Sequence, residues 1–157
     1  MDVKFINPFL EGTIKVLKTM AFVDPRAGKP YLKQGIKAVG DISGVIGLTG
    51  SAKGSLAVSF SEKSIIKIVN NMLSENYWEI NPHINDAVGE ITNMISGDAR
   101  KRLEGGGFII KAAIPTVISG KDHVIEHVLS GPSIIIPFEI DEGSFFVDVC
   151  IRSTLGT

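Results

Sequence analysis

Glu90 and Asn93 stand three residues apart between two glycines, Gly89 and Gly97, in the segment Gly89-Glu90-Ile91-Thr92-Asn93-Met94-Ile95-Ser96-Gly97. On a helix, residues three apart are surface neighbours. A carboxylate beside a carboxamide can grip a cation with one group and orient a water with the other. The amide is no strong base at neutral pH, but it can both donate to and accept from a water. Gly89, Asn93 and Gly97 repeat at i, i+4 and i+8. Each glycine costs about 1 kcal/mol relative to alanine in a helix interior, and Asn is also a poor helix former. A face needing only solubility would carry Lys, Glu or Ala. Two glycines beside Asn93 lower the surface and let another protein come close. Asp86, Arg100 and Glu104 share that side. The bland alternative is a solvated helix face, with glycines that serve packing against another helix.

The helix that must present these groups begins at Asn81-Pro82, an N-cap followed by proline at the favoured first position. It runs to about Glu104, where Gly105-Gly106-Gly107 ends it. At about 100° per residue, Ile84, Val88, Ile91, Ile95 and Arg102 form an inward stripe flanked by Ala87, Asp98 and Ala99. Asp98 and Arg102 can pair at i,i+4. An earlier amphipathic helix is expected over residues 5–21, with Phe9, Thr13, Val16 and Met20 on one side. A shorter one is expected over 64–73, where Ile65, Ile68, Val69 and Met72 are spaced three or four apart. Strands are expected at 32–39, 44–48, 55–60, 108–112, 124–137 (with a break near Gly131-Pro132) and 144–151.

The order helix, strand, strand, strand thus occurs twice. Ile6-Asn7-Pro8 and Ile80-Asn81-Pro82 are identical triplets at the start of each long helix, which favours a duplicated unit. The expectation is a single α+β domain over residues 1–157: one mainly antiparallel sheet of about six strands, with two long helices packed on one face. Aligning the triplets places Glu90 opposite Val16 and Asn93 opposite Thr19, so the first half lacks the pair.

Composition narrows the function classes. The 157 residues are 44% hydrophobic with a net charge of −1, enough apolar material for a continuous core and no basic stripe for nucleic acid. No apolar run reaches bilayer-spanning length and the first residues lack a secretory pattern, so the cytoplasm is expected and membrane association is not. Cys150 has no partner for an intramolecular disulfide and reads as a buried apolar residue of a strand. His123 and His127 fall in the expected strand at 124–137 or beside it, and His83 falls in the first turn of the motif helix; ligand spacing for a metal is missing. Gly44, Gly47, Gly50 and Gly54 are not followed by Gly-Lys-Ser/Thr, so no phosphate loop is supported.

The Glu-x-x-Asn segment followed by Met and Gly resembles the signature of the CheC/CheX/FliY phosphatase family. The similarity extends over nearly the whole chain, through Asn7, Asp24-Pro25, Gly28-Lys29-Pro30, Gly54-Ser55-Leu56, Ser59-Phe60-Ser61 and Pro115-Thr116-Val117-Ile118-Ser119-Gly120-Lys121-Asp122. A single motif per chain is the CheX pattern. The resemblance implies a phosphatase acting on a phosphorylated CheY-like receiver domain. Asn93 would orient the attacking water and Glu90 would pair with the receiver's lysine, while Asp86, Gly89, Gly97 and Arg100 would line the docking face. It further implies that Mg²⁺ belongs to the receiver, that this chain binds no cofactor or metal of its own, and that a homodimer forms. The competing reading is a CheX-like module that docks on a receiver, or dimerises, without turnover.

Overall fold

In a computed structural model, which describes residues 3–155, two long helices and one short helix lie on one face of an eight-stranded sheet. After a 3-10 turn at Val3–Phe5, the elements are α1 (Ile6–Ala21), β1 (Arg26–Ala27), β2 (Tyr31–Leu32), β3 (Ile42–Gly50), β4 (Ala52–Phe60), α2 (Glu62–Leu73), α3 (Pro82–Gly105), β5 (Ile110–Ala112), β6 (Thr116–Ser119), β7 (Ile134–Ile140) and β8 (Gly143–Ser153). Every strand pairing is antiparallel. Among the described residues no helix is long and apolar enough to cross a membrane.

The sheet makes the expected duplication visible. β4 and β8 pair at its centre, β3 and β7 flank them, and the two outer edges are made by β1 with β2 and by β5 with β6. Each edge pair completes the opposite half: β1 and β2 lie on β7, while β5 and β6 lie on β3. The order of elements is therefore the same from either edge.

α1 and α3 run antiparallel over the sheet, as their ion pairs require: Arg102 meets Glu11 at 2.9 Å and Asp98 meets Lys15 at 3.7 Å. The expected i,i+4 pair is also formed, Arg102 Nε to Asp98 at 2.6 Å. Gly12 permits this approach, since a Cβ there would sit 3.1 Å from Asp98 Oδ1 and 3.3 Å from the Ala99 backbone nitrogen. Beneath them Phe9, Leu17, Ile91 and Ile95 are fully buried with Leu56, Val58, Phe145 and Val147 of the sheet.

Four expectations need correction. The strand expected at 32–39 shrinks to Tyr31–Leu32, and the one expected at 124–137 becomes β7, starting at Ile134. The intervening residues run as irregular segments, joined by an isolated bridge between Lys37 and Val124. Gly35 (φ 81°) and Gly131 (φ 101°) take left-handed conformations that interrupt an extended chain. These segments lie against the sheet face away from the helices; Ile125 is buried there, whereas Ile36, Val39, Val124 and Val128 are exposed. Pro137 does not end its strand. It lies within β7, between the stretches paired to β1 and β2, and its carbonyl accepts the Gly28 N–H at 2.8 Å. Met20, expected to face inward, is 42% exposed near the end of α1.

Candidate functional site

Asn81 caps α3, its side-chain oxygen accepting the Ile84 N–H at 2.9 Å, and Pro82 opens the first turn. Ile84, Ala87, Val88, Ile91, Ile95 and Ala99 are buried, as the sequence periodicity requires. The helix is then pressed against β3 at one point. Gly44 faces Thr92 so closely that a Cβ on Gly44 would overlap Thr92 Oγ1 and come within 2.9 Å of Thr92 Cβ. Thr92 is itself held, donating to the Val88 carbonyl at 2.8 Å. This anchor lies directly under the turn that carries Glu90 and Asn93.

Glu90, Asn93 and Asp86 are exposed on the outward side of α3. Among the described residues neither Glu90 nor Asn93 has a hydrogen-bond or ion-pair partner. Both are thus free to meet an incoming molecule. The glycines beside them differ from Gly12 and Gly44. A Cβ on Gly89 would meet only Val117 Cγ2 of β6, at 3.5 Å, and one on Gly97 only Arg100 Nη2, at 3.8 Å. Both are ordinary contact distances, so packing within the chain does not demand either glycine. Arg100 is half-buried and bends back along the helix, its Nε donating to Ser96 Oγ at 3.2 Å. It borders the face beside Gly97 rather than projecting from it. His83 stacks on Tyr77, with ring centroids 5.8 Å apart.

Sequence reasoning missed a second polar cluster, on the opposite face of the sheet. His127 Nδ1 lies 2.6 Å from Ser55 Oγ, and its Nε2 lies 2.8 Å from Asp148 Oδ1. Lys33 Nζ meets Asp148 Oδ2 at 2.8 Å. Nearby, Ser43 bonds both Ser59 and His123, with 2.6 Å from Ser43 Oγ to His123 Nε2. The histidines therefore sit in the irregular covering segment, not in a strand as expected. Burial alone would raise the Asp148 pKa; hydrogen bonds and charge from His127, together with Lys33 and Ser133, outweigh it and hold the carboxyl below its ordinary value. The types Ser, His and Asp suggest a hydrolytic triad, but Ser55 and Asp148 are each only 1% exposed, and Ser55 Oγ also accepts the Val128 N–H. The cluster fastens the covering segments to the sheet. Its only sequence signal was polar residues at alternating positions of otherwise apolar strands. Cys150, beside it in β8, is buried as expected, and burial pushes its thiol pKa up.

Comparison with known proteins places this geometry among relatives. The family model described as chemotaxis phosphatase CheX matches residues 42–139. The CheY-P phosphatase CheX of Thermotoga maritima is 28% identical over 155 residues, covering 98% of this chain and 99% of that protein. A CheC-like superfamily protein from Shewanella sp. PV-4 superposes with a TM-score of 0.89 at 44% identity, over 98% of this chain and 100% of that one. A CheX–CheY complex from Borrelia burgdorferi, with beryllofluoride and Mg²⁺, matches with a TM-score of 0.81 at 26% identity, over 97% of this chain and 100% of that one.

Proposed function

Because the chain belongs to the CheX family of chemotaxis phosphatases, we propose that it hydrolyses the aspartyl phosphate of a CheY-like receiver domain through the outward face of α3. The observation that carries this reading is the pair Glu90 and Asn93, exposed and unpartnered among the described residues, on a helix whose outward glycines serve no internal contact. The Thermotoga relative is named for the same activity, and the Borrelia relative is found bound to a CheY carrying beryllofluoride and Mg²⁺.

In this reading α3 docks over the receiver's phosphorylation site. Asn93 enters the pocket and holds a water by donating through its NH₂ or accepting through its oxygen. The water oxygen forms a bond to phosphorus, the bond from phosphorus to the aspartyl oxygen breaks, and the receiver's carboxylate leaves. The water's proton passes to the released phosphate or to solvent. Glu90 pairs with the receiver's lysine and fixes the approach. Asp86, Gly89, Gly97 and Arg100 form the rest of the docking face. An acyl phosphate is already reactive, so positioning and electrostatics supply the acceleration without a covalent intermediate on this chain. Mg²⁺ belongs to the receiver and arrives with the substrate. The reading takes residues 1–157 as one cytoplasmic phosphatase domain that pairs with a second copy.

The test is phosphate release from CheY-type receivers charged with a small phosphodonor. Asn93→Ala should lower kcat about 100-fold, roughly 2.7 kcal/mol of barrier, with binding of the beryllofluoride-loaded receiver largely retained. Glu90→Ala should weaken both. Equal turnover by Asn93→Ala and the wild type would remove the assignment.

A further inference from the structure

One turn beyond Asn93, the docking face opens into a groove between α1 and α3. It has a volume of about 330 Å³ and is lined by Val16, Thr19, Met20, Met94 and Gly97, with Lys15, Asp98 and Lys101 at its rim. Gly97 belongs both to this groove and to the face around Asn93, so the two surfaces are continuous. Four residues along a helix advance about 6 Å, less than the width of any protein that seats on Asn93. A molecule held at Asn93 therefore lies over the groove as well.

Three features bear on what occupies it. The lining is apolar and rich in methionine, a side chain that adapts to varied apolar partners. Met20 and Thr19 are exposed, whereas α1 buries Phe9, Val16, Leu17 and Ala21, and Ile6, Leu10 and Ile14 in part. Charge is also graded along the face: Asp86 and Glu90 lie at one end, while at the other Lys15, Lys101 and Arg102 outnumber Asp98, which pairs with Lys15 at 3.7 Å and with Arg102 at 2.6 Å. A receiver that holds Mg²⁺ does so with carboxylates, so the rim of its phosphorylation site is acidic. A basic end meeting that rim, while Glu90 takes the receiver's lysine, sets one direction of docking. The groove is also where the first repeat lacks the Glu-x-x-Asn pair. Aligned through the repeated triplets, Val16 stands at the position of Glu90, Thr19 at that of Asn93 and Met20 at that of Met94.

Resting on the phosphatase reading above, we propose that the α1–α3 groove is a second part of the receiver-docking site, taking an apolar side chain of the receiver while Lys15 and Lys101 meet carboxylates beside its phosphorylated aspartate. The first helix then contributes recognition without catalysis, and it discriminates among receivers that share the same phosphoaspartate chemistry.

The test is steady-state phosphate release from a CheY-type receiver, together with calorimetric binding of the same receiver loaded with beryllofluoride and Mg²⁺. Met20→Glu and the double variant Met20→Glu/Lys101→Glu should raise KM and weaken binding about tenfold or more, while kcat stays within twofold. Because Met20 and Lys101 are exposed, both variants should retain the wild-type melting temperature, and Met20→Gln covers a case where the charge itself disturbs folding. As controls on α2, Lys63→Gln matches the charge change of Met20→Glu, and Lys63→Glu/Lys67→Gln matches that of the double variant. Unchanged KM and affinity in both groove variants, with the wild type active, overturn the groove proposal and leave the phosphatase reading intact. A wild-type chain that neither turns over nor binds any CheY-type receiver overturns both.

Discussion

Replacing Gly44 with alanine tests whether the seat of α3 on β3, rather than its exposed residues alone, sets activity. A Cβ at Gly44 would overlap Thr92 Oγ1 and lie 2.9 Å from Thr92 Cβ and 3.3 Å from Thr92 Cγ2. No rotation of Thr92 moves its Cβ, so the helix must lift from the strand or the strand must bow. Overpacking of this kind costs about 1–3 kcal/mol. If Thr92 also gives up its bond to the Val88 carbonyl, about 1 kcal/mol more is lost. A total of about 2–4 kcal/mol in a domain of this size lowers the melting temperature by about 5–15 °C. Because Glu90 and Asn93 ride on the displaced turn, turnover should fall by about tenfold to a hundredfold although neither residue is touched. Gly47→Ala, in the same strand, is the control: its added Cβ meets nothing nearer than Ala113 Cβ at 3.9 Å. It should stay within about 0.5 kcal/mol of wild type. Thermal melts and phosphate-release assays on both variants, with Gly44→Ala/Thr92→Ala expected to recover part of the loss, complete the design. A Gly44→Ala protein that melts and turns over like the wild type would refute the claim that this contact sets the height of the helix.

Further outcomes follow from the same geometry. Gly97→Ala should stabilise the protein by about 0.5–1 kcal/mol, because its Cβ meets only Arg100 Nη2 at 3.8 Å, yet it should weaken receiver binding; a variant that gains stability and keeps full affinity contradicts the docking role. Asp148 has a folded pKa below the ordinary 3.8, so its contribution to stability is fully present above that value and is lost as the pH falls through the lower folded value. Urea midpoints measured from pH 6 downward should therefore drop below about pH 4, and Asp148→Asn should flatten that acid limb; parallel curves for the two proteins would contradict it. At neutral pH, Asp148→Asn should itself cost about 3–5 kcal/mol, because it leaves the Lys33 ammonium, 6% exposed, without its counter-charge; urea denaturation measures this.

Where local signals and tertiary structure agreed, the sequence was readable. Asn81-Pro82 marks the start of α3, the 3.6-residue period assigns its buried side, and Glu90 and Asn93 emerge on the outward side as that period requires. The repeated Ile-Asn-Pro triplet reports a duplication that the sheet order displays. The misreadings share one cause. Segment 121–133 buries alternate residues, His123 and Ile125 among them, against a sheet face without belonging to the sheet, and segment 33–39 runs beside it with Ile36 and Val39 exposed. Their anchors are remote in sequence: Lys33 meets Asp148 across 115 positions and His127 meets Ser55 across 72. No window of neighbouring residues contains such a pairing. The Gly44–Thr92 contact was hidden for the same reason, since a glycine in a strand looks alike whether it faces solvent or a side chain of a packed helix.

The crossed edges of the sheet carry a consequence for how the molecule can change. Neither repeat is a self-sufficient fold, because each borrows its outermost strands from the other. Cutting the chain in the 74–80 linker should yield two fragments that recover structure only when mixed. That mutual dependence also frees one repeat to drift chemically: α1 can carry Val16 and Thr19 in place of an acid and an amide and still be indispensable, because its half lends β1 and β2 to the half that carries Glu90 and Asn93.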